Sequence, residues 1–182
     1  MEKNAMETLE NAERQFVEKI ADNMHTFGLP ATVGRVLGTI YMNRNPMTLN
    51  ELSEAIGMSK TRMSQVVREM MEYQIADKVY EKGVRKDLYT VEEDYYQTFI
   101  SLFTSNWRKA IHKNRMFEQK IDRELAEIQD DQSLDAEAME KLNEILAEKK
   151  EWLAYHDWIN RVTEFFESGE IFKYVPKSEE ES

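Results

Sequence analysis

Apolar residues recur along this chain with a helical period, interrupted once by a short alternating stretch, and those changes of period divide it into elements. Ala12, Phe16, Ile20 and Phe27 share one side of a helix predicted over residues 5–27, with Val17, Ala21 and Met24 beside them. Gly28-Leu29-Pro30 ends that helix, because the residue before proline resists helical geometry and proline has no N–H to donate. A second helix, over about 31–43, carries Val33, Val36, Leu37, Ile40 and Tyr41. Its Gly34 and Gly38, four apart, either admit a neighbouring helix at close range or are tolerated weak points.

The stretch from Met47 to Val91 is the centre of the pattern. Thr48 and Glu51 have the spacing of a capping box, and Leu49, Leu52 and Ile56 then fall on one helical face. Gly57 stops the helix, since glycine accepts the left-handed conformation of a C-terminal exit. Ser59 caps a second helix whose Met63, Val66, Val67 and Met70 face inward, leaving Lys60, Thr61, Ser64, Gln65 and Arg68 on the other side. Two predicted strands follow, Ile75 to Glu81 and Asp87 to Val91, with Val79 and Tyr80 mirrored by Leu88 and Tyr89. Between them Lys82-Gly83-Val84-Arg85-Lys86 supplies a turn glycine and three cations. Helix, turn, polar-faced helix and basic hairpin together make a winged helix-turn-helix. In that arrangement the second helix enters the major groove while the wing reaches the backbone beside it. An ordinary helical hairpin with a solvated polar face would require the caps, the stop and the basic tip to coincide by chance.

Glu92 to Asp94 then suit the first turn of a long helix. Tyr96, Phe99, Phe103, Trp107, Ile111, Phe117, Ile121, Leu125 and Ile128 follow at close to 3.6-residue spacing, with a polar gap at Asn114. Asp130-Asp131-Gln132-Ser133 breaks the pattern as a loop with a new cap. A further helix carries Met139, Leu142, Ile145, Leu146, Trp152, Leu153, Ile159, Val162 and Phe166, ending at Ser168-Gly169. Two such helices form an antiparallel hairpin with more apolar surface than it can bury alone. A second copy of the chain is the economical cover, because helix-turn-helix proteins normally read two half-sites as two-fold dimers. The tail from Lys177 to Ser182 is charged, lacks apolar anchors and is expected to be disordered. The fold class is therefore mainly α with a small β wing. Residues 1–92 give an N-terminal dimerisation helix and the DNA-binding domain, and residues 93–182 a helical dimerisation and effector region.

The net charge of −11 changes this picture only once it is divided along the chain. Residues 1–91 hold 12 cations and 13 anions, residues 92–182 hold 12 and 22, and residues 57–90 hold 7 and 5. The excess acid thus lies outside the proposed reading head, where it repels DNA and suppresses non-specific binding. The absence of cysteine excludes a disulfide framework and thiolate metal sites. No apolar segment follows Met1-Glu2-Lys3-Asn4 to make a secretion signal. The longest mostly apolar run, Phe27 to Met42, is interrupted by Pro30 and Arg35 and is too short to span a bilayer. A cytoplasmic protein without membrane contact is the expectation. His25, His112 and His156 lack ligand spacing, no phosphate-cradling loop or G-x-S-x-G occurs, and the carboxylates lie among lysines and arginines. Neither a metal, a cofactor nor an enzymatic reaction is indicated.

The chain also resembles the GbsR/MarR-type winged-helix transcriptional regulators. The resemblance rests on Phe27-Gly-Leu-Pro-Ala-Thr-Val-Gly-Arg35, Pro46-Met-Thr-Leu-Asn-Glu51, Met58-Ser-Lys-Thr61 and Glu81-Lys-Gly-Val-Arg-Lys-Asp-Leu-Tyr89. Tyr95-Tyr-Gln-Thr-Phe99 and Trp107-Arg-Lys-Ala110 continue it, so that it covers nearly the whole chain. It looks closest to the branch that represses genes for choline uptake and conversion to glycine betaine. The resemblance implies a dimeric repressor of osmoprotection genes, and in that branch choline acts as inducer.

A quaternary ammonium donates no hydrogen bond and is held against aromatic faces. Tyr41, Tyr95, Tyr96, Phe99, Phe103 and Trp107 gather where the DNA-binding half meets the long helix, and Tyr41, Tyr96, Phe99, Phe103 and Trp107 are the ligand-binding candidates. The same stripe also reads as helix core, the usual role of aromatics at helical spacing. Trp152, Tyr155 and Trp158 form a second aromatic group suited to the cage or to a dimer seam. For DNA the candidates are Ser59, Lys60, Thr61, Ser64, Gln65 and Arg68 on the helix, with Lys82, Arg85 and Lys86 on the wing. Two other functions stay open at this point: a winged helix that binds protein, and an architectural DNA-binding dimer without ligand control.

Overall fold

In the computed structural model, residues 2–83, 85–129 and 134–178 are described. The expected loop at 130–133 and the end of the expected disordered tail lie outside the described residues. The chain forms two compact units, Met1–Phe103 and Thr104–Ser182, and the division falls inside one continuous helix.

In the first unit α1 spans Glu2–Asn23 and its last turn tightens into a 3₁₀ segment, Met24–Phe27. Helical periodicity alone predicts unbroken helix to residue 27. The tightening lets the Gly28 N–H, at φ +72°, close onto the His25 and Met24 carbonyls. Pro30 precedes α2, Ala31–Asn43, which lies directly on α1. A Cβ added to Gly34 would stand 2.4 Å from the Ala21 Cα, and one on Gly38 would stand 3.1 Å from the Val17 Cα. The two glycines are thus a close-approach seam between helices.

Helix α3, Leu49–Ile56, opens on the expected capping box. Thr48 Oγ1 accepts from the Glu51 N–H at 3.3 Å, and the Glu51 carboxylate accepts from the Thr48 N–H at 2.7 Å. Those bonds hold the Glu51 carboxyl below its ordinary range, the Thr48 backbone N–H first among the causes. Gly57 is left-handed at φ +72°. Helix α4, Lys60–Glu72, follows, with Ser59 Oγ accepting from the Arg62 N–H at 3.3 Å. Met63, Val66, Val67 and Met70 bury against Val33, Val36, Leu37 and Ile40 of α2, Leu52 of α3 and Ile75.

The sheet departs from expectation in two ways. It has three strands rather than two, in the order β1 (Met47–Thr48), β3 (Leu88–Val91), β2 (Ala76–Val79), all antiparallel. A two-residue strand has no room for alternation, so no pattern marked it. The register pairs Val79 with Leu88 and Lys78 with Tyr89. Tyr80 is therefore beyond the last rung and does not mirror Tyr89.

In the second unit, the rest of α5 (Tyr95–Gln129) and α6 (Ala136–Glu167) run antiparallel. Arg108 Nη1 donates to Asn160 Oδ1 at 2.9 Å and Nε to Glu167 Oε1 at 2.9 Å, Phe117 meets Trp152 edge-on at 5.6 Å, and Asp122 is bonded by Lys149. Asp135 caps α6, accepting from the Ala138 N–H at 2.8 Å. Ile111, Leu125, Leu142 and Ile159 are buried, whereas Met116, Phe117, Ile128, Met139, Ile145, Tyr155 and Trp158 remain exposed. After Gly169, at φ +74°, a one-turn helix that the sequence did not signal, α7 (Ile171–Tyr174), returns Tyr174 to within 5.7 Å of Phe165. Among the described residues no helix is long and apolar enough to cross a membrane.

Candidate nucleic-acid interface

Burial of four apolar side chains on one face of α4 fixes what its other faces present. Lys60, Thr61, Arg62, Gln65 and Arg68 are exposed and Ser64 is half-buried. Ser59 serves the helix as its cap, and its hydroxyl hydrogen is still available to an outside acceptor. Arg62 was missed by the sequence reading because it sits on the flank of the polar face. Its Nη1 donates to Gln65 Oε1 at 3.2 Å. The only sequence signal was an arginine three residues before a glutamine, the spacing at which helical side chains meet.

The wing brings distant cations together. Lys60 from the start of α4 and Arg85 and Lys86 from the hairpin line one cleft of about 290 Å³ with Thr48, Leu49, Asn50 and Asp87. Asn50, in the first turn of α3, carried no mark in the sequence. Asp87 is bonded to Lys78 at 2.8 Å, which holds the Lys78 ammonium above its ordinary range. Among the described residues no ion pair engages Lys60, Arg85 or Lys86, and Lys82 is exposed on the turn outside this cleft. A polar helix face beside three cations in one cleft is complementary to a polyanion that also displays hydrogen-bonding edges.

The aromatic candidates separate. Tyr41 is only 8% exposed, its hydroxyl shares a hydrogen bond with Thr98 Oγ1 at 2.9 Å, and burial pushes its pKa up to about 12. Its ring lies 4.9 Å from that of Tyr95, and the two tyrosines line a cleft of about 220 Å³ with Arg44, Glu93 and Thr90. Tyr95, rather than Tyr96, is the aromatic that shares this cleft with Tyr41. Phe99 stands edge-on to Phe27 at 6.0 Å and stacks on Phe103 at 6.1 Å, while Tyr96 is exposed. Trp107 lies beyond the division, in the second unit, half-buried. There Trp152 packs on Phe117 and His156, and Tyr155 stacks on Trp158 at 6.4 Å. Among the described residues no cluster of three metal-ligating side chains is found.

Comparison with known proteins places these features in context. A family model described as "GbsR family transcriptional regulator, C-terminal helical hairpin" matches residues 95–173, and one described as "MarR family" matches residues 27–73. The HTH-type transcriptional repressor OpcR of Bacillus subtilis (strain 168) is 63% identical over 180 residues, covering 99% of this chain and 97% of that protein. The HTH-type transcriptional repressor GbsR of the same organism is 29% identical over 168 residues, 92% of this chain and 93% of that one. A solved structure described as a transcriptional regulator shares the fold, with a TM-score of 0.57 at 16% identity over 86% of this chain and 99% of its own.

Proposed function

The chain belongs to the GbsR family of transcriptional regulators, and from that premise we propose that it represses its target genes by gripping an operator as a two-fold dimer. The observation that carries this is the joint placement of the outward polar face of α4 and the Lys60–Arg85–Lys86 cleft. Helix α4 lies in the major groove, where Thr61, Ser64, Gln65 and Arg68 meet base edges and Ser59 and Lys60 meet phosphates. Arg62 adds a guanidinium of the shape that reads guanine, and the Gln65 amide holds it in place. Lys82, Arg85 and Lys86 bind phosphates from the wing.

Dimerisation is the second part of the proposal. The α5–α6 hairpin leaves Met116, Phe117, Ile128, Met139 and Ile145 in solvent, and α1 leaves Met6, Leu9 and Phe16 there. Covering these faces with a second copy removes apolar area from water at about 25 cal/mol per Å². Residues 1–92 then read DNA and contribute α1 to the seam, while residues 93–182 supply most of the seam and the effector region. Such a regulator works in the cytoplasm with the DNA.

The third part is control by a small cation, choline or another quaternary ammonium osmolyte, acting on genes of osmoprotectant uptake or synthesis. Ligand that favours one spacing of the two α4 helices shifts DNA affinity by the difference in its own affinity for the two spacings. Tyr41 and Tyr95, which line one cleft, are the proposed contacts, and Tyr96, Phe99 and Phe103 follow Tyr95 on the same helix within the first unit. The test is calorimetry with choline and betaine, followed by operator binding with and without the ligand. Heat of binding together with a changed operator Kd supports the scheme. No heat with either compound, alongside intact operator binding, leaves a repressor without this effector.

A further inference from the structure

The wing carries one side chain that its own chain does not explain. Tyr80 follows directly on the last rung of the hairpin, Val79 with Leu88, and is 84% exposed, more than any other large hydrophobic among the described residues. The side chain is not left loose. Lys78 Nζ stands 5.4 Å from its ring centroid, and Lys78 is itself bonded to Asp87 across the hairpin at 2.8 Å. The chain Asp87–Lys78–Tyr80 thus presents one face of the ring to a cation and turns the other outward. Lys82, Arg85 and Lys86, all exposed, stand on the same hairpin tip.

We propose that the outward face of Tyr80 packs on a deoxyribose of the operator backbone at the edge of the minor groove. The neighbouring cations hold the flanking phosphates, and this proposal rests on the DNA-binding reading above. A sugar is the one uncharged, largely apolar surface that recurs between phosphates, so a flat ring set among cations has a complementary place there. Packing on a sugar leaves Lys78 in place over the ring, whereas a wedge stacked between base pairs on both ring faces would have to displace it. The contact is indifferent to sequence and displaces no counterions. It therefore adds affinity that salt does not erode, unlike the lysines and arginines beside it.

The experiment compares the full-length protein with Tyr80→Ala and Tyr80→Phe on its preferred duplex and on a scrambled one, across a salt series. Tyr80→Ala is expected to weaken both duplexes by a similar factor, on the order of tenfold per dimer. The slope of log Kd against log salt should stay unchanged, and Tyr80→Phe should behave as the parent. Because Tyr80 is exposed, the unfolding midpoint of each variant should match the parent, so a fall in binding is not a folding defect. Parental affinity in Tyr80→Ala, a shallower salt slope, a loss confined to one base pair, or equal loss in Tyr80→Phe would each overturn the sugar contact. If the parent protein prefers no duplex at all, the DNA-binding reading fails first, a result distinct from all of these.

Discussion

Replacing Arg85 by alanine tests the electrostatic half of the interface in a way that can be worked out beforehand. Lys60, Arg85 and Lys86 line one cleft and Lys82 projects from the adjoining turn, which gives four candidate phosphate contacts per protomer. A dimer doubles that to about eight, and counterion release at about 0.9 per phosphate sets a log–log salt slope near −7. Arg85→Ala removes one contact from each protomer, so the slope should become shallower by about 1.8. Between 50 and 200 mM salt the parent should lose roughly 10⁴-fold in affinity and the variant roughly 10³-fold. Arg85 is exposed and, among the described residues, outside any ion pair, so the unfolding midpoint should not move. Fluorescence anisotropy with a labelled duplex at four salt concentrations measures the slope. A loss of the same size on every duplex, with the shallower slope, is the expected outcome. An unchanged slope, or weakening at a single base pair only, would show that Arg85 reads sequence or does not touch DNA.

Other consequences are equally concrete. Gln65→Ala should relax preference at two adjacent positions, because the amide both reads and steadies Arg62; Arg62→Ala should cost about 1–3 kcal/mol of discrimination at one of them, measured by competition among single-base variants. Gly34→Ala puts a methyl 2.4 Å from the Ala21 Cα, and overpacking of about 1–3 kcal/mol or more should outweigh a helix-propensity gain of about 1 kcal/mol. Urea unfolding at matched protein concentration checks it, and a variant more stable than the parent would contradict the close helix contact. Tyr41 should make stability fall at alkaline pH. Its pKa is raised from 10.0 to about 12, so the native state keeps a proton that the unfolded state gives up. That contribution is complete below about 10 and is lost as pH rises towards about 12. Tyr41→Phe should flatten this limb, and an unchanged alkaline profile would remove Tyr41 as its source.

What the sequence made legible follows from which interactions are local. The capping box at Thr48 and Glu51, the stop at Gly57 and the cap at Ser59 involve residues within four positions of each other, and each stands as read. The burial of Met63, Val66, Val67 and Met70 follows from helical period alone. Pairing that depends on distant partners was read less well. Strand β1 exists because Met47 and Thr48 meet Tyr89 and Leu88, and nothing in two residues announces that. The position of Tyr80 outside the ladder depends on where the hairpin turn begins, which the run of strand-forming residues did not mark.

The aromatic residues show the same limit from another side. Spacing along α5 correctly grouped Phe99 with Phe103. It could not show that Tyr41 of α2 would meet Tyr95 and bond Thr98, because periodicity describes one helix and not what comes to lie against it. Gly34 and Gly38 had the spacing of a close contact, and the identity of the approaching helix, α1, came only with the fold.

In the proposed complex two copies of α4, held by one dimer, occupy successive major grooves. Since the chain contains no cysteine, Thr61→Cys provides a unique thiol for tethering a DNA-cleaving reagent to the exposed face of that helix. Two clusters of cuts are expected on the preferred duplex, related by a two-fold axis and about one helical turn, roughly 34 Å, apart. A single cluster, or cuts spread evenly along the duplex, would contradict it.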